Sequence, residues 1–185
     1  MMAMPETPQR ILIAGVSGSG KTTLARQIAD ISGITHTEID GLFHGPNWTL
    51  RTEFVDDVRG LVAAEAWVTE WQYRDVRPLL LSRAEMLIWL DLPTRVVMFR
   101  VIRRTLSRRL HRTVLWNDNV EPPLRTIFRD REHIIRWAWR TRSKYRDLHQ
   151  NLDVEHLVVV RLRSRRAVRD WLATFSTDAA ARRRE

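Results

Sequence analysis

The stretch that most constrains this chain is GVSGSGKT, which runs from Gly15 to Thr22. It follows the apolar run Ile11–Ala14 and precedes LARQIAD, so a strand, a glycine-rich loop and a helix start occur in the order that a P-loop requires. Lys21 is expected to reach the β and γ phosphates of a nucleotide, and the Thr22 hydroxyl to ligate Mg²⁺. A glycine-rich turn that binds nothing is the alternative. The predicted nucleotide contacts are Gly15, Ser17, Gly18, Ser19, Gly20, Lys21, Thr22 and Thr23.

The composition indicates one compact domain in a chain of 185 residues, with 31 basic and 22 acidic residues and a net charge of +9. Lys21 and Lys144 are the only lysines, and the other basic residues are arginines, which suit polyanionic ligands. Codon preference of a G+C-rich genome also explains the arginine excess, but not the net sign. No cysteine, apolar leader or membrane-length apolar run is present, so we expect a cytoplasmic protein without disulfides.

Apolar runs and helical spacings alternate along the chain, which predicts βαβ units and a parallel sheet of about five strands. The predicted strands are Arg10–Ala14, Thr35–Ile39, Ala66–Thr69, Met86–Leu90 and His156–Arg161. The predicted helices are Gly20–Ser32, Thr52–Glu65, Thr94–His111, Leu124–Gln150 and Ser164–Phe175. Residues 1–9 are expected to form a flexible leader, residues 10–176 the domain, and residues 177–185 a frayed basic tail.

Acidic residues follow three of the predicted strands. Asp40, Glu70 and Asp91 come at strand ends, and the carboxyl ends of parallel strands meet at the ligand-binding edge of such a sheet. Asp40 can accept the proton of an acceptor hydroxyl or help to hold a hydrated metal, or it can cap the following segment. Glu70 can orient a metal-bound water or the acceptor, or it can simply pack beside Trp71. Asp91 is expected to cap the helix that Pro93 opens.

With these features the chain resembles the adenylate kinase-like branch of P-loop kinases. The segments TEIDGLFHGPNW, AWVTEWQY, LIWLDLP and VVVRLRSRRAVRDWL are similar to bacterial proteins described as adenylate kinase-related or DNA topology modulation proteins. The resemblance covers about residues 10–175 and implies an αβα fold with sheet order 2-3-1-4-5. It also implies a substrate-binding insertion at residues 41–65 and an arginine-bearing lid at residues 103–125. Where that group reads Asp-Gly-Asn-Tyr, this chain reads Glu70, Trp71, Gln72 and Tyr73.

Arginines of the predicted lid are candidates for stabilising charge in phosphoryl transfer. Ile102, Leu106 and Leu110 recur at helical spacing, and Arg100, Arg104 and Arg108 form a parallel basic stripe. A solvated basic face is the alternative for each of them. The residues taken as catalytic are Lys21, Asp40, Glu70, Arg104 and Arg108. Further nucleotide contacts are expected at Arg112 and at Arg161, the latter near where relatives place the adenine.

The acceptor side is predicted from aromatic and basic residues, namely Phe43, Trp48, Trp71, Tyr73, Arg51, Arg74 and Arg77. These residues can bind an acceptor base, sugar or phosphate, or belong to the core. Together the patterns predict a kinase for ATP·Mg²⁺ and a small acceptor, such as a nucleotide or a nucleoside, as a monomer or homodimer away from membranes. An NTP-binding protein associated with nucleic acid is the alternative, because of the +9 charge. A slow ATPase or regulator is a third.

Overall fold

The computed structural model describes residues 8–111, 114–119, 134–145, 148, 152 and 156–182. Its centre is a five-stranded parallel sheet of order β2-β3-β1-β4-β5, which confirms the predicted fold and strand order. The strands are β1 (Arg10–Gly15), β2 (His36–Thr37), β3 (Trp67–Glu70), β4 (Met86–Leu90) and β5 (Val158–Leu162). The helices are α1 (Lys21–Ser32), α2 (Ile39–Phe43), α3 (Phe54–Ala63), α4 (Arg77–Leu81), α5 (Thr94–Leu110), α6 (Ile134–Arg140) and α7 (Arg165–Arg182).

The two central strands are buried on both faces, as their uninterrupted apolar sequences predict. β1 pairs with β3 on one side and with β4 on the other, so that Ile13 lies between Glu70 and Ile88. Alternate side chains of these strands therefore pack into two separate hydrophobic cores, one on each face of the sheet. One core packs beneath α2, α3 and α4, and the other beneath α1 and α7.

The second strand is shorter than predicted. β2 ends at Thr37, and Ile39 begins α2, so Asp40 lies in the first turn of a helix rather than at a strand end. The cause is a hydrogen bond from the Ile39 backbone N–H to Glu70 Oε2 at 3.2 Å, which satisfies an amide at the start of α2. The insertion then continues through a 3₁₀ turn at Pro46–Trp48 into α3.

Helix α5 buries a different face from the one that its apolar spacing suggests. Val97, Val101 and Thr105 are buried, whereas the predicted stripe is exposed at Ile102 (41%), Leu106 (46%) and Leu110 (80%). The helix must face the P-loop with small β-branched residues, because the loop approaches it closely. The basic stripe lies beside this buried face and therefore points towards the loop.

The long helix predicted over Leu124–Gln150 is wrong within the described residues. α6 ends at Arg140, and turns follow over residues 141–145, where the Thr141 hydroxyl donates to Trp137 O at 2.8 Å and Lys144 N donates to Thr141 O. These turns allow Tyr145 to be buried in the core.

The structure describes parts of both predicted chain ends. Of residues 1–9, predicted as a flexible leader, residues 8 and 9 are described: Pro8 is buried, and the Gln9 backbone pairs with Glu85 Oε2 and Trp67 N. α7 continues to Arg182 and buries Ala179, whereas we predicted a helix end at Phe175 and a frayed tail. Residues 1–7 and 183–185 lie outside the described part. No described helix has the length and apolar character needed to cross a bilayer.

Candidate active site

The loop between β1 and α1 has the conformation that its glycines permit. Gly18 and Gly20 have φ angles of 80° and 101°, in the left-handed region that favours glycine. A Cβ on Gly18 would lie 2.4 Å from Val101 Cγ2 and 2.9 Å from the Val97 carbonyl oxygen. The loop therefore packs directly on α5, and only a residue without a side chain fits at position 18.

Lys21 and Ser19 form a polar cradle at the start of α1. Lys21 is only 8% exposed, and its Nζ atom makes one hydrogen bond among the described residues, to Val16 O at 3.5 Å. Burial lowers the pKa of Lys21, and the charges of Asp40 and Glu70 oppose this in part. The buried Ser19 hydroxyl has no partner in the described part of the chain. Phosphate oxygens at this helix N-terminus would satisfy both groups, so the cradle fits a nucleotide phosphate.

Glu70, the last residue of β3, contacts the residue that follows Lys21 of the P-loop. Its carboxylate accepts from the Thr22 hydroxyl and the Ile39 N–H, and it lies 3.3 Å from His36 Nε2. Burial acts to raise the pKa of Glu70, but the His36 contact, the Ile39 amide and the Thr22 hydroxyl together lower it. Glu70 is 2% exposed, and it contacts the hydroxyl of Thr22, the predicted metal ligand.

The described residues contain no group of three His, Asp or Glu side chains that would hold a metal ion unaided. Mg²⁺ in nucleotide sites uses one or two protein oxygens together with phosphate oxygens and waters. The Thr22 hydroxyl beside the Lys21 cradle is suited to this arrangement. The donor set therefore fits Mg²⁺ brought with a nucleotide.

Asp40 is held by the residues that follow β3. Gln72 Nε2 and the Tyr73 hydroxyl both donate to Asp40 Oδ1, at 2.7 and 2.6 Å, while Oδ2 has no hydrogen bond within the described residues. Tyr73 has a φ of 52°, a strained value for an aromatic residue, and its ring stacks on Phe43 at 3.8 Å. Burial and then the Asp40 charge raise the pKa of Tyr73, so its hydroxyl stays a donor. One carboxylate oxygen is thus fixed and the other is available.

Arginines of α5 line the loop on its other side. Arg100 Nη1 donates to Ser19 O at 2.8 Å, and Arg104 Nη2 donates to the Ser17 hydroxyl at 3.4 Å. Burial, and then the charge of Arg165, lowers the pKa of Arg100. A cavity of about 320 Å³ lies along this face and is lined by Arg100, Arg103, Arg104, Ser107 and Arg108. The structure thus brings Arg104 to the P-loop and Arg108 to the adjoining cavity.

Two 3₁₀ turns pack together above Asp40. The turn Trp116–Asp118 lies against Pro46–Trp48, and Asn119, which is 4% exposed, joins them. Asn119 Nδ2 donates to Gly45 O, and its Oδ1 accepts from Trp48 N, both at 2.9 Å. The Trp116 ring lies on Gly41, where a Cβ would come within 3.0 Å of it. This turn therefore covers the backbone next to the Asp40 carboxylate.

The remaining predicted residues have more distant or structural surroundings. Asp91 does not cap α5, whose first turn has no side-chain cap. It pairs instead with Arg161 at 2.6 Å and Arg163 at 3.7 Å, because β5 lies next to β4 and brings these cations opposite it. The Arg161 guanidinium also stacks on Trp89 at 4.1 Å. Thr23 is exposed on α1, and Arg112 and part of the lid at residues 103–125 lie outside the described residues.

A parallel sheet of order 2-3-1-4-5 with a P-loop after its central strand is the P-loop kinase fold. Two solved structures are similar over nearly the whole chain. A gluconokinase from Sinorhizobium meliloti 1021 has 19% identity, covers 95% of this chain and 96% of its own, and has a TM-score of 0.52. A shikimate kinase from Aquifex aeolicus vf5 has 13% identity, coverages of 92% and 98%, and a TM-score of 0.52.

The sequence itself matches no protein-family model and no curated protein. The comparisons thus support the P-loop kinase fold and give no support to the narrower resemblance to DNA topology modulation proteins.

Sequence reasoning missed several residues of the site. The missed contacts all join residues that are far apart in the sequence. They are the bonds of Gln72 and Tyr73 to Asp40, of Tyr145 to Arg77, and of Asn119 to Gly45. No local pattern signals such contacts. Lys144 did carry a signal, because it is one of two lysines in a chain otherwise rich in arginine.

Proposed function

We propose that this protein is an ATP-dependent kinase that transfers the γ-phosphate of ATP·Mg²⁺ to a hydroxyl group of a small acceptor. The observation that carries this is the buried cradle of Lys21 and Ser19 beside the Asp40 carboxylate. Groups suited to bind phosphate and a group suited to accept a proton thus lie in one cleft. Two of the similar structures are named as a gluconokinase and a shikimate kinase, which supports the same class of reaction.

The proposed reaction uses the side chains in separate roles. The P-loop amides and Lys21 bind the β and γ phosphates, and Thr22, oriented by Glu70, contributes a ligand to the metal. Mg²⁺ supplies charge neutralisation at the phosphate oxygens when it is bound. The acceptor oxygen forms a bond to the γ-phosphorus while the bond to the ADP oxygen breaks. Asp40 Oδ2 takes the acceptor proton, since Oδ1 is already held by Gln72 and Tyr73.

Arg104 and Arg108 are proposed to stabilise the charge that spreads over the transferred group. Arg104 is close enough to Lys21 for its charge to lower the lysine pKa, and Arg108 lines the cavity next to it. Positioned cations of this kind need not reorganise during transfer, which makes them effective in a desolvated cleft. Arg161, bound by Asp91, is proposed to lie at the adenine end of the nucleotide.

The test is phosphoryl transfer from radiolabelled ATP to a panel of acceptors: D-gluconate, shikimate, D-glucose, AMP and adenosine. We expect transfer to at least one of them by the wild type. Lys21→Ala should lower turnover by at least about a hundredfold, because it removes a phosphate-binding cation. Asp40→Asn, which keeps an oxygen for Gln72 and Tyr73, should lower kcat by about 10²–10⁴-fold and leave ATP affinity unchanged.

Arg59→Ala on the exposed face of α3 is the matched control, since within the described part of the chain Arg59 forms an ion pair only with Asp56 on the same helix. This variant should leave kcat and the affinity for ATP unchanged. Equal transfer by wild type and Lys21→Ala, with both proteins folded by circular dichroism, would contradict the proposed kinase activity.

A further inference from the structure

Arg77 is held rigidly in the cleft without a carboxylate partner. Its guanidinium lies 4.5 Å from the Trp71 ring centre and 5.1 Å from that of Tyr145. Nη2 donates to the Tyr145 hydroxyl at 2.7 Å, and that hydroxyl donates to Trp71 O at 3.0 Å. The buried Nε has no hydrogen bond, and no described Asp or Glu forms an ion pair with Arg77. A fixed guanidinium whose charge no described carboxylate balances is suited to an anion.

Trp71 is the residue that creates this arrangement. It follows Glu70 directly, and its indole N–H donates to the Arg77 carbonyl oxygen at 3.4 Å. The same ring therefore supports both the backbone and the guanidinium of Arg77. A glycine at this position would leave only the Tyr145 ring beside the guanidinium.

Lys144 adds a second cation to the same place. Although the residue is exposed overall, its ammonium group lies 5.7 Å from the Tyr145 ring centre and 6.0 Å from that of Trp137. Desolvation, and then the charges of Arg77 and Lys21, lowers the pKa of Lys144 to about 8. Three cations thus converge with no described carboxylate paired to Lys144. Because like charges repel, the cluster destabilises the free protein, and a bound anion would offset this repulsion.

Arg77 and Lys144 reach the cleft from other elements than the arginines that contact the P-loop. Trp71 and Tyr145 belong to the core beneath α2 and α3, which also contains Phe43 and Tyr73 at the Asp40 side. Arg100 and Arg104 approach from α5 and contact the P-loop. Arg77 and Lys144 lie close enough to Lys21 for electrostatic coupling, so they are near the phosphate-binding end of the cleft. Because Arg100 and Arg104 already contact the P-loop, we assign Arg77 and Lys144 to a group on the acceptor side.

We propose that Arg77 and Lys144 form an anion subsite that selects acceptors bearing a carboxylate or phosphate in addition to the hydroxyl group that is phosphorylated. This inference rests on the proposed kinase function and specifies its substrate class. Both anions present oxygens that a guanidinium and an ammonium bind, so the chemistry is shared. Comparing the members of the acceptor panel shows whether the bound group is a carboxylate or a phosphate.

The experiment compares D-gluconate with D-glucose and AMP with adenosine, in the wild type and in Lys144→Met, Lys144→Arg and Arg77→Met. We expect the charged member of one pair to be preferred. Lys144→Met should raise its KM by about ten- to a hundredfold with little change in the KM for ATP, because a charge-assisted hydrogen bond is lost. Lys144→Arg should restore binding, and Arg142→Met on the same exposed turn is the control for loss of a nearby cation.

Two outcomes would overturn the subsite. One is equal KM for the charged and neutral members, and the other is a rise in the KM for ATP alone, which would assign Lys144 to the nucleotide. Because Lys144 is exposed, its variants test the idea even if Arg77→Met fails to fold.

Calorimetric titration of the same compounds into wild type and Lys144→Met, without ATP, separates this inference from the kinase proposal. Binding of a charged compound that weakens in Lys144→Met, with no phosphoryl transfer, would retain the subsite and reject the kinase. Transfer to a neutral acceptor with unchanged KM in Lys144→Met would retain the kinase proposal and reject the subsite.

Discussion

Lys144 gives the proposed anion subsite a dependence on pH. Because its pKa is lowered to about 8, the ammonium is charged below that pH and loses its proton as the pH rises through it. Arg77, Lys21 and Tyr145 face it, and burial raises the pKa of Tyr145, which therefore stays neutral. We expect kcat/KM for the preferred acceptor to fall by up to about tenfold per pH unit above 8.

The measurement is a profile of kcat/KM from pH 6 to 9.5 with saturating ATP. In Lys144→Arg the cation stays charged over this range, so the decline above pH 8 should disappear. An identical decline in that variant would assign the titration to another group and exclude Lys144 as its source.

At the scale of residues, the sequence predicted those parts of the site whose function depends on local conformation. Gly18, Lys21 and Thr22 lie where the motif requires, because a loop followed by a helix start fixes their directions within a few residues. The role of Trp71 depends on Arg77 and on Tyr145, which comes more than seventy residues later. Such a contact follows from tertiary packing, and no spacing in the sequence encodes it.

At the scale of elements, the two 3₁₀ turns above Asp40 make the next prediction. Asn119→Ala would leave the Gly45 carbonyl and the Trp48 N–H without the partner that now joins the turns. Each unsatisfied buried group costs about 1–3 kcal/mol. We expect amide hydrogen exchange in residues 44–50 and 114–119 to accelerate by about tenfold or more, while exchange in β1 and β4 stays slow.

Val114→Ala is the matched control, because Val114 is 61% exposed in the same segment and should change exchange little. Unchanged exchange in Asn119→Ala would show that Asn119 does not hold the turns together. If the turns shield the acceptor from water, the same variant should also raise the ratio of ATP hydrolysis to acceptor phosphorylation.

Elements were predictable where one physical signal dominated. β1 and β4 follow from apolar runs that only a doubly buried strand requires, and their bounds differ little from those expected. The predicted end of β2 was wrong because the Glu70 carboxylate, 31 residues away, stabilises the start of α2 at Ile39. α7 was predicted too short because its last turns pack Ala179, and a single small apolar residue gives almost no periodic signal.

At the scale of the whole molecule, the charge of +9 has a structural distribution that bears on function. Several surface arginines are paired with carboxylates, as in the pairs of Arg10 with Glu85, Arg26 with Glu38 and Arg51 with Asp57. Arg77, Arg100 and Arg104 instead surround the P-loop cleft. This distribution favours small polyanions in a cleft over an extended nucleic acid on a surface.

The corresponding prediction is selective stabilisation by nucleotide. ATP·Mg²⁺ at a hundred times its Kd should stabilise the fold by about 2.7 kcal/mol, which for a domain of this size raises Tm by roughly 5–10 °C. Lys21→Ala should abolish most of this shift and leave the Tm of the free protein little changed, because it removes a buried charge rather than a packed apolar side chain. The nucleic-acid alternative predicts instead a shift with a short DNA duplex that survives in Lys21→Ala and declines steeply as salt is raised from 50 to 200 mM. A DNA-dependent shift of that kind, with none from ATP, would assign the basic cleft to nucleic acid, since only a phosphate held on the P-loop needs the Lys21 ammonium.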